Sequence, residues 1–250
     1  MPRFFVNKDR ICDGYVTLEG TDAHHVARSL RMAAGEHITV CDPDGVEYDC
    51  ELTDFEGDSA VRAKILSFER SLAEPPFRVT LYQALPKGDK LDSIIQKAVE
   101  CGACRVVPFE SAHCVVRVKA EAEEKKTERR ARIALEAAKQ CGRGMIPSVG
   151  RTVSFEEMLR EAADADLALF CYEDERGQTL RDVLDRFADT RAAGVPSVSV
   201  VVGSEGGFSR EEALTARAAG LLPVGLGKRI LRTETAGAFV LSALVFRLEL

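Results

Sequence analysis

Near its end, at residues 227–237, the chain reads GKRILRTETAG, and the apolar segment AFVLSALVF follows directly. The preceding LPVGL places Gly225 and Gly227 around Leu226, just after a short strand pattern. Thr233 or Thr235 suits the N-cap of the closing helix, and Glu234 suits the positive end of its dipole. Capping leaves Arg232 unexplained. A second glycine-rich strand end lies within about thirty residues: SVSVVVGSEGGFSREEA, residues 197–213. Its β-branched run predicts a buried parallel strand that stops at Gly203-Ser204-Glu205-Gly206-Gly207, before a helix capped by Ser209 with Glu212 completing a capping box. Ligands bind at such carboxyl strand ends, and glycines permit positive φ and close backbone approach, so an adenosine-like molecule fits here. A phosphate loop would require Lys-Ser or Lys-Thr after the glycines, and Glu205 would repel phosphate. Two such turns in one sheet can form opposite walls of one pocket. Each, taken alone, is also explained as a tight strand-to-helix turn.

The third constellation is basic. Residues 105–143 hold ten Lys and Arg against six Glu. Within them KKTERRARIALEAAKQCGRG crowds Lys125, Lys126, Arg129, Arg130 and Arg132 into the first half of a helix. This is either a solvated face with i, i+4 ion pairs or a surface that tracks phosphates without reading sequence. The net charge of −6 argues against bulk polyanion binding. His24, His25, His37 and His113 have no carboxylate or cysteine at ligand spacing, and no metal is expected. Cys101 and Cys104 form a CxxC without a second half, which reads as two semi-buried thiols at a helix-to-strand turn. The eight cysteines are scattered, several in apolar runs, so reduced thiols are expected.

The elements that must position these residues fall into two groups. Residues 1 to about 70 read as short strands, including a pair in HITVCDPDGVEYDCEL joined by a Pro-Asp-Gly turn and a period-two run, SAVRAKILSF. One helix interrupts them, TDAHHVARSLRM, with a threonine or aspartate cap and with Arg28 and Arg31 spaced i, i+3 on one face. ERSLAEPPF, at residues 69–77, predicts an extended boundary. Beyond it strands alternate with helices, which implies parallel pairing and an α/β domain. Leu91, Ile94, Ile95, Ala98 and Val99 form the buried stripe of its first helix. No run approaches the length of a membrane helix and no signal-peptide pattern opens the chain, so a cytoplasmic protein with no membrane partner is expected.

Taken in order, ARSLRMAAG, LDSIIQKAVECG, RVVPFESAHCVVR, EAAKQCGRGMIPSV, VVGSEGGFSREE and LGKRILRTETA resemble the RsmE family nearly end to end. These are bacterial methyltransferases of the SPOUT class that act on a uridine N3 of 16S ribosomal RNA. The resemblance implies a PUA-like β-barrel RNA-binding domain at 1–72 and a trefoil-knotted SPOUT α/β domain at 73–250, which holds S-adenosylmethionine in a homodimer. It implies one cofactor wall of Gly203, Ser204, Glu205, Gly206 and Gly207, and another of Leu226, Gly227, Leu231, Arg232 and Thr233, with Phe170 contributing at its strand end. The family usually has proline where this chain has Ser204, from which a looser loop is expected, and leucine where it has Cys101.

A uracil N3 becomes nucleophilic only when its proton leaves, and the resulting charge spreads onto the ring oxygens. Arg232 is assigned to stabilise that charge. Glu234 is assigned to accept the proton or to hold Arg232. Arg3, Arg28, Arg31, Lys87, Lys97, Arg117, Lys139 and Arg143 join Arg129 and Arg130 as expected contacts to 16S ribosomal RNA or the small ribosomal subunit. Two rival readings are a noncatalytic RNA-binding module derived from such an enzyme and a nucleotide-phosphate enzyme using GSEGG, which lacks the Lys-Ser or Lys-Thr it would need.

Overall fold

A computed structural model of the chain describes residues 1–117, 120–190 and 194–250; Lys119 of the basic stretch lies outside them. Two compact units are present, Met1–Glu74 with Ala138–Ile146, and Pro75–Ala137 with Pro147–Leu250.

In the first unit β1 (Arg3–Phe5), β2 (Ile11–Cys12), β3 (Tyr15–Glu19), β4 (His37–Cys41), β5 (Val46–Glu56) and β6 (Ala60–Arg70) form one sheet in the order β1-β4-β5-β6-β3-β2. Alternate residues turn inward, so Ile38, Val40, Leu52, Val61 and Ala63 join Phe4, Val16 and Leu18 in one core. The expected turn between β4 and β5 forms because Asp42 Oδ1 accepts from the amides of Asp44 at 2.9 Å and Val46 at 3.0 Å, while Gly45 takes a φ of +75°. Register shifts in the β5–β6 ladder bend the long strands.

The helix differs from its expected form. It runs as α1 (Gly20–His24) and a π-helical turn, His25–Ser29, with Glu19 at the N-cap and no side-chain cap. Neither Thr21 nor Asp22 caps it. Arg31 takes a φ of +55°, which ends the helix before it, so Arg28 and Arg31 do not share a helical face. The wide turn that causes this is closed by Leu30 N–H to His25 O at 2.9 Å and Met32 N–H to Val26 O at 3.1 Å.

Residues 138–146 belong with these strands through one buried fork. Arg143, only 3% exposed, donates to Glu74 Oε1 at 2.9 Å and Oε2 at 2.6 Å, and the amides of Gly144 and Met145 donate to the same Oε1.

The second unit alternates as expected: β7 (Arg78–Ala84), α2 (Lys90–Glu100), β8 (Arg105–Phe109), α3 (Ala120–Cys141), β9 (Ser148–Val149), α4 (Phe155–Ala163), β10 (Leu167–Cys171), α5 (Leu180–Thr190), β11 (Ser197–Val202), α6 (Arg210–Ala218), β12 (Leu222–Val224) and α7 (Thr233–Leu248). The strand order is β12-β10-β11-β7-β8-β9, and every neighbouring pair is parallel. The α2 stripe read from the sequence is buried, and α7 packs on α2, α5 and β11. Because the sheet is parallel, the carboxyl ends of β12, β10, β11 and β7 stand side by side along one edge.

The cysteine pair lies at the turn from α2 to β8. Cys104 Sγ donates to Val79 O at 3.3 Å, while Cys101 Sγ stands 3.7 Å from Ser242 Oγ, so the two thiols face different partners. Burial pushes the Cys41 thiol up to about 11 and those of Cys50 and Cys171 up to about 12, which keeps them protonated.

Candidate functional site

At the end of β11 the chain turns through residues 203–207, closed by Gly207 N–H to Ser204 O at 3.0 Å. Each glycine has a packing reason. A Cβ on Gly203 would stand 3.2 Å from Phe208 Cε2, one on Gly206 2.9 Å from His113 Cβ, and one on Gly207, already at φ +64°, would collide with the Glu173 carboxylate. His113 Nδ1 also lies 2.8 Å from Gly206 O. Beyond the turn Ser209 caps α6 in the expected box, with Glu212 N–H donating to its hydroxyl at 3.1 Å and its own N–H donating to Glu212 Oε2 at 2.9 Å. The second turn follows β12 and begins with Gly225, whose N–H donates to Gln178 O at 3.0 Å. Gly227 adopts a φ of +111° with open space where a Cβ would lie.

The two turns are joined at their base. Thr233 Oγ1 donates to Gly203 O at 2.6 Å, so its hydroxyl serves the neighbouring turn instead of capping α7. Arg232 occupies the N-cap, and no side chain caps this helix. Gln83, fully buried at the end of β7, donates through Nε2 to Thr233 Oγ1 at 2.9 Å, Gly203 O at 3.2 Å and Ala84 O at 3.0 Å. Reading the sequence missed Gln83; the signal was a single amide in the otherwise apolar end of LYQAL.

A second missed residue is Lys90, the first of α2. Its ammonium lies 2.8 Å from Glu205 Oε1 and 3.7 Å from Glu234 Oε2. The Glu205 hydrogen bond is the main cause that raises Lys90 above its ordinary value. Burial, the largest single influence on Glu205, pushes its carboxyl up, but hydrogen bonds from Lys90 and the Lys87 amide outweigh it and hold the group below its usual range.

Between the turns lies an open cleft of about 120 Å³. Gly203, Ser204, Glu205, Gly207, Leu226, Gly227, Leu231 and Thr233 line it, as the sequence led us to expect. Gly206, also expected there, does not line it and packs against His113 instead. Phe170 does not reach the cleft: it is fully buried with its ring 4.2 Å from that of Phe208, because the strand alternation turns it into the core. From that strand end Cys171, Tyr172 and Glu173 line the cleft instead. Arg232 is exposed just outside it, and its side chain has no hydrogen-bond or ion-pair partner among the described residues. Glu234 pairs with Lys90, not with Arg232.

The residues suit S-adenosylmethionine. Three of the five buried side-chain polar atoms that lack a hydrogen bond among the described residues, Gln83 Oε1, Ser204 Oγ and Glu234 Oε2, belong to residues at these strand ends, and Ser204 lines the cleft itself. Buried polar groups are normally satisfied, so such a concentration marks where a polar ligand belongs.

Comparison with known proteins agrees with this geometry. Residues 73–245 match a family model described as an RNA methyltransferase domain, and residues 18–66 match one described as an RNA methyltransferase PUA domain. The ribosomal RNA small subunit methyltransferase E of Bacillus subtilis is 35% identical over 100% of this chain and 98% of its own length. The chain belongs to the ribosomal RNA small subunit methyltransferase E family. The member from Synechocystis is 31% identical over 99% of this chain and 78% of its own length. The crystal structure of the Neisseria gonorrhoeae methyltransferase E bound to S-adenosyl methionine superimposes with a TM-score of 0.84 at 29% identity, covering 98% of this chain and 97% of that one.

The chain has fewer free cations than its sequence suggests. Arg143 is committed to Glu74. Arg130, 6% exposed, is held by Glu123 at 3.3 Å and Thr152 at 3.2 Å. Arg3 pairs with Glu47 at 2.8 Å, and Lys139 with Asp22 at 3.2 Å. These four are structural, because each is largely buried with its carboxylate partner. Arg28, Arg117 and Arg129 are exposed yet paired with Asp58, Glu110 and Asp92. Arg31, Lys87 and Lys97 are exposed without a side-chain partner among the described residues.

Proposed function

We propose that the chain transfers a methyl group from S-adenosylmethionine to N3 of a uridine in 16S ribosomal RNA, using residues 73–250 for catalysis and the barrel of residues 1–72 to help hold the RNA. The observation that carries this reading is the cleft between two glycine-rich strand ends, tied together by Gln83 and Thr233. It is supported by family membership along the whole chain.

When bound, the cofactor supplies a sulfonium methyl that needs in-line attack. The protein supplies the positioning. Backbone groups of residues 203–207 and 226–231 hold the nucleoside, and the missing side chain of Gly227 leaves it room. Arg232, unpaired at the amino end of α7, offers its guanidinium to the uracil oxygen on which charge develops. Glu234 Oε2, without a hydrogen bond and 3.7 Å from the Lys90 ammonium, accepts the N3 proton. Arg31, Lys87 and Lys97 contact phosphate, with Arg28, Arg117 and Arg129 exchanging their carboxylate partners for it.

The same reading makes the enzyme a cytoplasmic homodimer with a trefoil knot at the cofactor site. Phe239 and Phe246, 44% and 74% exposed, line an apolar groove of about 570 Å³ with Leu180, Leu184 and Leu226, a surface suited to a second copy. Among the described residues no helix is long and apolar enough to cross a membrane. Mass spectrometry of 16S RNA from cells with and without the gene tests the activity: loss of one N3-methyluridine on deletion is expected. Unchanged RNA, with calorimetry showing no cofactor affinity, would favour the noncatalytic RNA-binding module.

A further inference from the structure

Ser204 is buried at 7% exposure and lines the cleft, yet its hydroxyl has no hydrogen-bond partner among the described residues. Its main chain is already occupied, since Ser204 O accepts the Gly207 amide that closes the turn. The side chain therefore does nothing for the turn itself. A hydroxyl withdrawn from water and left unpaired destabilises the free protein, and it persists where a ligand completes the bond.

The surroundings indicate which part of the ligand this is. Ser204 is followed by Glu205, whose carboxylate is already paired with Lys90 at 2.8 Å, and the Glu173 carboxylate lies beside Gly207. A further carboxylate, such as that of the methionine moiety, is disfavoured beside Glu173. The cations lining the cleft, Lys228, Arg229 and Arg176, belong to the second turn and to the loop after β10. The Ser204 wall thus faces a neutral polar group.

Building on the function proposed above, we propose that the Ser204 hydroxyl is a specificity contact for the adenosine part of S-adenosylmethionine, completing its hydrogen bond on a ribose hydroxyl or a ring nitrogen. It adds a side-chain contact to a turn that otherwise reads the nucleoside through its backbone.

The test compares the wild-type protein with Ser204→Ala by calorimetry against S-adenosylmethionine, S-adenosylhomocysteine and 5′-methylthioadenosine, which keeps the nucleoside and lacks the amino acid. The melting temperature without ligand is recorded in parallel. We expect all three ligands to lose affinity by the same factor, about three- to tenfold, with an unliganded melting temperature equal to or above that of the wild type. A loss confined to the two ligands carrying the amino acid overturns the assignment to adenosine. Unchanged affinity for all three, or a lowered melting temperature, makes the hydroxyl structural or idle and overturns the proposal while leaving the methyltransferase reading intact. Failure of the wild-type protein to bind any of the three overturns both.

Discussion

Gln83 and Thr233, 150 residues apart, share a 2.9 Å hydrogen bond beneath the cleft, and Thr233 passes it on to Gly203 O at 2.6 Å. One amide on β7 therefore sets the spacing of two turns that belong to other strands. Replacing Gln83 by leucine keeps the volume but removes that tie, as Thr233→Val does from the other side. Each change should weaken S-adenosylmethionine binding by about 1–2 kcal/mol, and the double variant should lose less than the sum, since the two side chains act as one. Calorimetry on the four proteins measures the coupling; strict additivity would mean that the turns are held independently.

The Arg232 side chain makes no hydrogen bond or ion pair among the described residues, and its carbonyl, which accepts from Thr235 and Ala236, is kept in Arg232→Ala, so the variant should fold normally. Its effect belongs in the chemical step: turnover falls about a hundredfold or more while cofactor affinity changes little. Single-turnover methylation set beside a binding titration separates the two, and equal losses would move Arg232 into the binding machinery.

The Lys90–Glu205 pair predicts a flat pH response around neutrality. The Glu205 carboxyl is held below its ordinary 4.5, so its contribution to loop stability is complete above that value and disappears as pH falls through the lower folded-state value. Lys90 is raised above 10.5, so its contribution is complete below that value and is lost only as pH rises beyond it. Cofactor affinity measured from pH 6 to 9 should be level. In Lys90→Met the acid limb should move upward, because burial of Glu205 is then opposed by fewer hydrogen bonds.

Among the basic residues, exposure separates two kinds of outcome. Lys87→Ala and Lys97→Ala should each reduce the slope of log affinity for RNA against log salt by about 0.7–0.9 and leave the melting curve in place. Arg143→Met should do the reverse, costing about 3 kcal/mol of stability by stranding Glu74 while changing the salt slope little. Filter binding at several salt concentrations and thermal melts decide between them.

The sequence carried the local signals well. Strand and helix alternation, the Ser209–Glu212 capping box and the α2 stripe are all short-range patterns, and each appears as read. What it concealed depends on partners distant along the chain. Nothing near Arg130 or Arg143 distinguishes a solvated arginine from a buried one; Glu123 with Thr152, and Glu74, make that distinction. Gln83 looks like a polar interruption until Gly203 and Thr233 are placed beside it. Phe170 was misplaced by one step of strand alternation, which moves a side chain from cleft to core. Glu205, read as a charge that repels phosphate, has its counter-ion in Lys90, 115 residues earlier.

The Glu74–Arg143 fork has a consequence for synthesis. Glu74 leaves the ribosome 69 residues ahead of the arginine that satisfies it, an interval of about 3–14 s at ordinary elongation rates. During that time the nascent strands lack residues 138–146, and the parallel sheet of the other unit has begun to emerge. The amino-terminal unit is therefore sealed by a segment translated in the middle of the gene, and a fragment cut at its apparent boundary leaves a carboxylate with four hydrogen bonds to replace.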